Sequence, residues 1–181
     1  MAQLIVLRHS LAEANEQGIL MGAKLDSPLS EKGQEIARQK GKALRAEKFA
    51  PDRVYTSQLQ RAKQTAEIIV NELGAQPMVI ELEGLNERDF GIYDGKPYKY
   101  VLEALEKEGD NPETVEPADV FIRRVTAALD IIKNETTGTT LVITHSNPAM
   151  VMQTALFNPD NLQRFWELGD PPYCGGFTYE F

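Results

Sequence analysis

Two stretches of the chain are apolar without alternation, Leu4-Ile5-Val6-Leu7 near the start and "TLVIT" at 140–144. Short continuous runs of this kind suit strands buried on both faces, as in a parallel sheet covered by helices on either side. "DRVYTS" (52–57) and "PMVIEL" (77–82) are shorter strand candidates. Elsewhere the period is helical: Ile36, Ala37, Gly41 and Leu44 share one face, as do Leu59, Ala62, Ala66, Ile69 and Leu73, and later Phe121, Val125, Ala128, Leu129 and Ile132. Strands alternating with amphipathic helices predict an α/β fold, layered αβα, with a mainly parallel central sheet. The segment 92–118, rich in Tyr, Lys, Glu, Gly and Pro, interrupts the alternation and reads as a small cap excursion with a helix near 98–107. A length of 181 residues suits one domain spanning 1–181.

Polar residues cluster where the strands stop. Arg8-His9, Ser57 to Arg61, Asn86-Glu87-Arg88 and His145-Ser146-Asn147 each follow a strand candidate. Ligands of open parallel sheets bind beyond the carboxyl ends of the strands, so these four groups are expected to converge on one pocket. Two helix starts fall in the same places. Ser57-Gln58-Leu59-Gln60 has the form of a capping box, and Asn147-Pro148 sets an N-cap before a proline at the first helical position. Taken singly, a histidine after a strand is commonly a loop or core residue, the arginines suit surface ion pairs, and Glu87 is one acid of 27 Asp and Glu. Together at one sheet mouth, fixed positive charge, a helix N-terminus, two imidazoles and a carboxyl are what a phosphoryl group needs. Arg8, His9, Arg61, Glu87 and His145 carry that chemistry.

Charge and cysteine usage narrow the partners. A net charge of −8 lacks the broad basic face that nucleic acid or an anionic membrane requires, so a bound anion is expected to be small and locally held. No stretch approaches the ~20 apolar residues of a spanning helix, the N-terminal run is too short for a signal segment, and a cytoplasmic location is expected. The single Cys174 forms no internal disulfide and reads as a packed or idle thiol. No metal-ligand cluster stands out, and neither metal nor cofactor is expected.

"LRHSLAEAN", "GAKLDSPLSEKG", "VYTSQLQRAKQTAEII", "LNERDFGIYDG" and "LVITHSNPAM" resemble, in order and spacing, the motifs of the histidine phosphatase superfamily, the phosphoglycerate mutase-like family, over about residues 4–152. The resemblance implies that His9 is the nucleophile that becomes phosphorylated, that Arg8, Arg61 and His145 surround the phosphoryl oxygens, and that Glu87 is the proton donor. It places Asn15 where the family often has an asparagine that contacts substrate; Arg88, next to Glu87 in the third polar group, is a further substrate-binding candidate. Ser10 and Ser146 stand where glycine is usual. Serine adopts positive φ less readily, which predicts a reshaped loop, and either hydroxyl is a candidate donor to phosphate.

The chemistry this supports is in-line attack by a neutral imidazole, then hydrolysis of the phosphoenzyme, with a small phosphomonoester and phosphate as partners. The like charge of a bound phosphate is expected to raise the pKa of Glu87 enough for it to act as acid. A mutase of the same superfamily is the alternative, and it has to hold a substrate carboxylate. Residues 92–118 carry no arginine, and Glu103, Glu106, Glu108, Asp110, Glu113, Glu116 and Asp119 run through or beside them, which favours a phosphatase. A non-catalytic phospho-ligand binding module is expected to have lost His9 or Glu87, and both are present.

Overall fold

A computed structural model describes residues 2–108 and 113–181. In chain order the elements are β1 (Gln3–Arg8), α1 (Glu13–Glu16), α2 (Glu31–Ala46), β2 (Arg53–Thr56), α3 (Gln60–Leu73), β3 (Met78–Glu81), α4 (Tyr98–Glu108), α5 (Ala118–Glu135), β4 (Thr139–Thr144), α6 (Ser146–Phe157) and β5 (Gly176–Glu180). The five strands lie in the order β3-β2-β4-β1-β5, all parallel except β5, which runs antiparallel to β1.

Alternation within the apolar runs divides the core in two. Ile5, Leu7, Val54, Leu141 and Ile143 face α2 and α3, packing on Leu44, Ala62, Ala66 and Ile69. Leu4, Val6, Tyr55 and Val142 face α5 and α6, packing on Phe121, Val125, Leu129, Ile132 and Met152. Each large apolar side chain buried this way contributes roughly 1.5–3 kcal/mol. The layered arrangement with a mostly parallel sheet is therefore as the apolar pattern predicts, and α4 occupies the helical stretch expected near 98–107.

Several local expectations need correction. The helix after β2 begins at Gln60 with Leu59 as its N-cap, and no side chain caps it, so the Ser57 capping box does not form. The Ser57 hydroxyl lies against His145 instead. α6 begins at Ser146 with His145 as N-cap, which leaves Pro148 inside the first turn, where its missing N–H breaks no helical bond. β5 has no forerunner in the apolar pattern, because this edge strand alternates exposed and half-buried residues behind a Gly-Gly pair.

The segment after β3 also departs from a simple strand end. The chain leaves the edge strand at Glu81, passes through a turn of 3-10 helix (Glu83–Leu85) and returns over the sheet, where Leu85 is fully buried and its carbonyl accepts the Thr144 hydroxyl at 2.7 Å. Asn86, Glu87 and Arg88 are thus delivered by a docked loop rather than directly by the strand. Around it, Phe90, Tyr93, Val101, Ala104, Val115 and Leu20 form a small cluster of their own. The acids of that region are not a uniform charged face, since Glu116 pairs with Arg124 and Asp119 with Arg123. The side chains of Glu106 and Glu108, and Asp110 altogether, lie outside the described residues. Among the described residues no helix is long and apolar enough to cross a membrane.

Candidate active site

Sheet register brings the two histidines together. β1 and β4 are neighbours with Arg8 opposite Thr144, and the His9 N–H continues the ladder to the Thr144 carbonyl at 2.7 Å. β2 lies on the other side of β4, and the Ser57 N–H likewise reaches the Ile143 carbonyl at 3.1 Å. The strand ends of β1, β4 and β2 therefore sit side by side. The imidazoles of His9 and His145 stand 5.0 Å apart, centroid to centroid, tilted by 60°.

His9 Nδ1 lies 2.6 Å from the Ser10 carbonyl oxygen. A carbonyl only accepts, so Nδ1 carries the proton and Nε2 keeps its lone pair. Burial, then the charges of Arg61 and Arg8, push the His9 pKa well below the ordinary histidine value. The ring is therefore neutral at neutral pH, with Nε2 unprotonated.

His145 is held by its other nitrogen. Its Nε2 is 2.6 Å from the Ser57 hydroxyl, which also accepts the Leu59 N–H at 3.1 Å. The hydroxyl proton has Nε2 as its one acceptor among the described contacts, so we assign Ser57 as the donor and place the ring proton on Nδ1. Burial, then Arg61, lower the His145 pKa, so this ring too is neutral.

Among the described residues four buried side-chain polar atoms have no hydrogen-bond partner, and three belong to this cluster: Arg8 Nε, Arg61 Nε and His145 Nδ1. A buried donor left unpaired costs roughly 1–3 kcal/mol, so three around one imidazole make a site suited to an anion. The rest of the Arg61 guanidinium is fixed by protein. Arg61, fully buried, donates through Nη1 to Asp26 Oδ1 at 2.9 Å and the Leu25 carbonyl at 3.2 Å, and through Nη2 to the Gly22 carbonyl at 2.9 Å. Burial pulls its pKa down and Asp26 opposes that. Arg8 donates to the Pro171 carbonyl at 2.9 Å and lies 4.3 Å from the centre of the Tyr173 ring.

Glu87 completes the group, 5% exposed. Its carboxylate accepts the Arg88 N–H at 2.9 Å and the Asn147 N–H, at the start of α6, at 3.5 Å. Burial raises its pKa, with the Arg88 N–H and the Arg61 charge opposing. The shift is thus present in the unliganded protein and does not depend on a bound phosphate.

Four other candidates have partners within the fold. Ser10 donates to the Gly33 carbonyl at 2.6 Å, and a Cβ on Gly33 would come within 1.8 Å of the Leu11 carbonyl, so α2 locks the His9 loop by close approach. Ser146 donates to Asp170, and Arg88 Nε donates to the Glu116 carbonyl at 2.9 Å. Asn15 Oδ1 accepts the Ala12 N–H at 3.3 Å. Both serine hydroxyls thus serve the loops. Neither serine has positive φ, so both sit in backbone that a side chain adopts without strain. Cys174 is a buried free thiol at φ 55°, and burial pushes its pKa up to about 11.

Sequence reading placed Ser57 in the polar group after β2 without giving its hydroxyl a partner in the site, and it missed Asp26 and Tyr173. Asp26 lies within a recognised motif without a role assigned, and Tyr173 sits in a C-terminal loop that has no periodicity.

A model of the histidine phosphatase superfamily (branch 1) matches residues 4–174. The chain is 31% identical over 177 residues to "Putative phosphoserine phosphatase 2" of Hydrogenobacter thermophilus, covering 93% of this chain and 84% of that protein. It is 41% identical over 93 residues to a 2,3-bisphosphoglycerate-dependent phosphoglycerate mutase of Parvibaculum lavamentivorans, a match spanning 51% of this chain and less than half, 44%, of the mutase. In structure it superposes on a phosphoglycerate mutase from Bacillus anthracis with a TM-score of 0.83 at 21% identity, over 98% of this chain and 86% of that one. With the motifs in register along nearly its whole length, the chain belongs to the histidine phosphatase superfamily, branch 1.

Proposed function

We propose that the protein is a phosphomonoester hydrolase that works through a phosphohistidine on His9. The observation that carries this reading is the set of three unpaired donors, Arg8 Nε, Arg61 Nε and His145 Nδ1, around an imidazole whose Nε2 is bare. His9 Nε2 attacks phosphorus, the P–O bond to the alcohol breaks, and Glu87 gives its proton to the departing alkoxide. Glu87, now a carboxylate, takes a proton from the water that attacks the phosphohistidine, and phosphate leaves with the enzyme restored. The donors meet the charge that spreads over the equatorial oxygens, each contributing on the order of 3 kcal/mol by analogy with oxyanion-hole groups.

Mutase activity is the second reading, favoured by the named similarity to phosphoglycerate mutases. A panel of phosphomonoesters, including phosphoserine and the phosphoglycerates with and without a bisphosphoglycerate primer, separates the two. Phosphate release without primer is the expected result. Primer-dependent isomerisation with negligible phosphate release would replace hydrolysis by transfer.

A further inference from the structure

We infer that Arg124 and Glu116, outside the phosphate cluster, form a clamp that positions Glu87 for proton transfer. The inference rests on the acid role of Glu87 proposed above.

Glu87 needs such a device because the chain that carries it pairs with no strand. Inward, the loop is anchored by Leu85 and the Thr144 hydroxyl. Outward, it is held by one side chain from α5. Arg124 Nη1 donates to the carbonyls of Gly84 (3.1 Å) and Asn86 (2.8 Å), and Nη2 donates to the carbonyl of Glu87 itself (2.9 Å). Gly84 permits this approach, since a Cβ there would lie 2.7 Å from Ala128 Cβ and 2.9 Å from the Arg124 carbonyl.

Glu116 holds the arginine fork from the other side, Oε1 to Nε at 2.7 Å and Oε2 to Nη2 at 2.9 Å. The same residue reaches the chain beyond Glu87: its N–H donates to the Asp89 carbonyl at 2.8 Å, and its carboxylate accepts the Asp89 N–H at 3.3 Å. One ion pair therefore fixes the backbone on both sides of Glu87.

The pair is largely buried, with side chains 24% and 14% exposed. Buried ion pairs add little net stability against an apolar replacement of the same shape, and fixing one geometry is their best-attested use. Arg124 does not touch the reacting atoms and is a positioning residue. Arg124 and Glu116 line an open cavity of about 580 Å³ together with Glu83, Gly84, Asn86 and Asp89, so carbonyls released by truncation border space that water can enter.

The test uses an alkyl phosphomonoester, whose leaving group needs a proton, beside p-nitrophenyl phosphate, whose leaving group does not. Arg124→Met is expected to lower kcat/KM for the alkyl ester about 100-fold, the scale of a 1 Å misplacement, and for the aryl ester less than about threefold. Arg124→Lys should restore part of the alkyl rate. In a Glu87→Gln background Arg124→Met should add almost nothing, since both changes remove one function. Equal loss on both esters, or full additivity with Glu87→Gln, overturns the clamp. If Glu87→Gln itself lacks leaving-group dependence, the acid assignment fails and the clamp fails with it; if Glu87→Gln shows it and Arg124→Met does not, the clamp alone fails. Should Arg124→Met not fold, Glu116→Gln carries the same comparison, with a smaller loss of the same pattern expected and an equal loss on both esters overturning it.

Discussion

The ends of β1 and β4 look alike in sequence, an apolar run stopped by a histidine and a serine, yet the fold ties their imidazoles by different ring nitrogens. At β1 the ring is tied by Nδ1 to the Ser10 carbonyl and presents Nε2. At β4 it is tied by Nε2 to the Ser57 hydroxyl and presents Nδ1. Both rings are neutral and both carry their proton on Nδ1, so one offers a lone pair and the other an N–H. Under the proposed function, the same residue in the same tautomer serves as the nucleophile at β1 and as a hydrogen-bond donor at β4. The difference lies in which edge the protein covers, and it is set by partners 1 and 88 residues away in sequence.

The largest effect should come from removing each ring in turn. His9→Ala is expected to abolish turnover, a loss on the order of 10⁴-fold or more in kcat, since no other group replaces the nucleophile. His145→Ala removes one donor and should cost roughly 10²-fold while still forming a phosphoenzyme. Steady-state rates with parallel acid-labile phosphate measurements check both. Comparable residual rates for the two variants would erase the distinction between the rings.

A smaller change sharpens the comparison by loosening one ring only. Ser57→Ala leaves the His145 ring without its orienting hydroxyl and should lower kcat roughly tenfold, the scale of one lost buried hydrogen bond. The same variant should leave the His9 tautomer, read by long-range ¹H–¹⁵N correlation, unchanged. A shift of the His9 ring proton to Nε2 would show that the two rings are not independently held.

The pH effects are the smallest. Both imidazoles have pKa values below 6.5 in the folded protein, so as pH falls through 6.5 the unfolded chain takes up protons that the folded one does not. Their contribution to stability is complete above 6.5 and is lost below it, by about 1.4 kcal/mol per pH unit for each histidine. Glu87 acts with the opposite sign. Its raised pKa favours the folded state at low pH, and that contribution fades as pH rises past the ordinary carboxylate value of 4.5. Urea unfolding across pH 5–8 should show the histidine slope halved in His145→Gln. In activity, the acid limb should lie below the ordinary histidine range and the basic limb above the ordinary carboxylate range, both belonging to a coupled site.

Much of this was legible from the chain because buried parallel strands leave continuous apolar runs and a mostly parallel sheet directs its strand ends to one side. Leu4–Leu7 and Leu141–Ile143 announced the two central strands, and Arg8, His9, Arg61 and His145 stood at or just beyond their ends or the next strand's. What stayed hidden depends on long-range partners. Ser57 has the local pattern of a helix cap, and only the neighbouring strand shows that its hydroxyl goes to His145. Asp26 holds Arg61 across 35 residues, and Tyr173 reaches Arg8 from the far end of the chain. Arg124 lies on an amphipathic helix whose period describes its apolar face and says nothing of the polar edge. β5 was invisible because a half-exposed edge strand after two glycines carries almost no apolar signal.

The most direct measurement is the position of the phosphoryl group in the trapped intermediate. Wild-type protein mixed with a phosphomonoester, quenched in alkali within the first turnover, can be digested and sequenced by mass spectrometry, with ³¹P NMR distinguishing the two ring isomers. The expected result is phosphorus on Nε2 of His9, with none on His145. Phosphorus on Nδ1 of His9, or on His145, or turnover with no covalent phosphate at any time, would contradict the assignment of the bare Nε2 as the nucleophile.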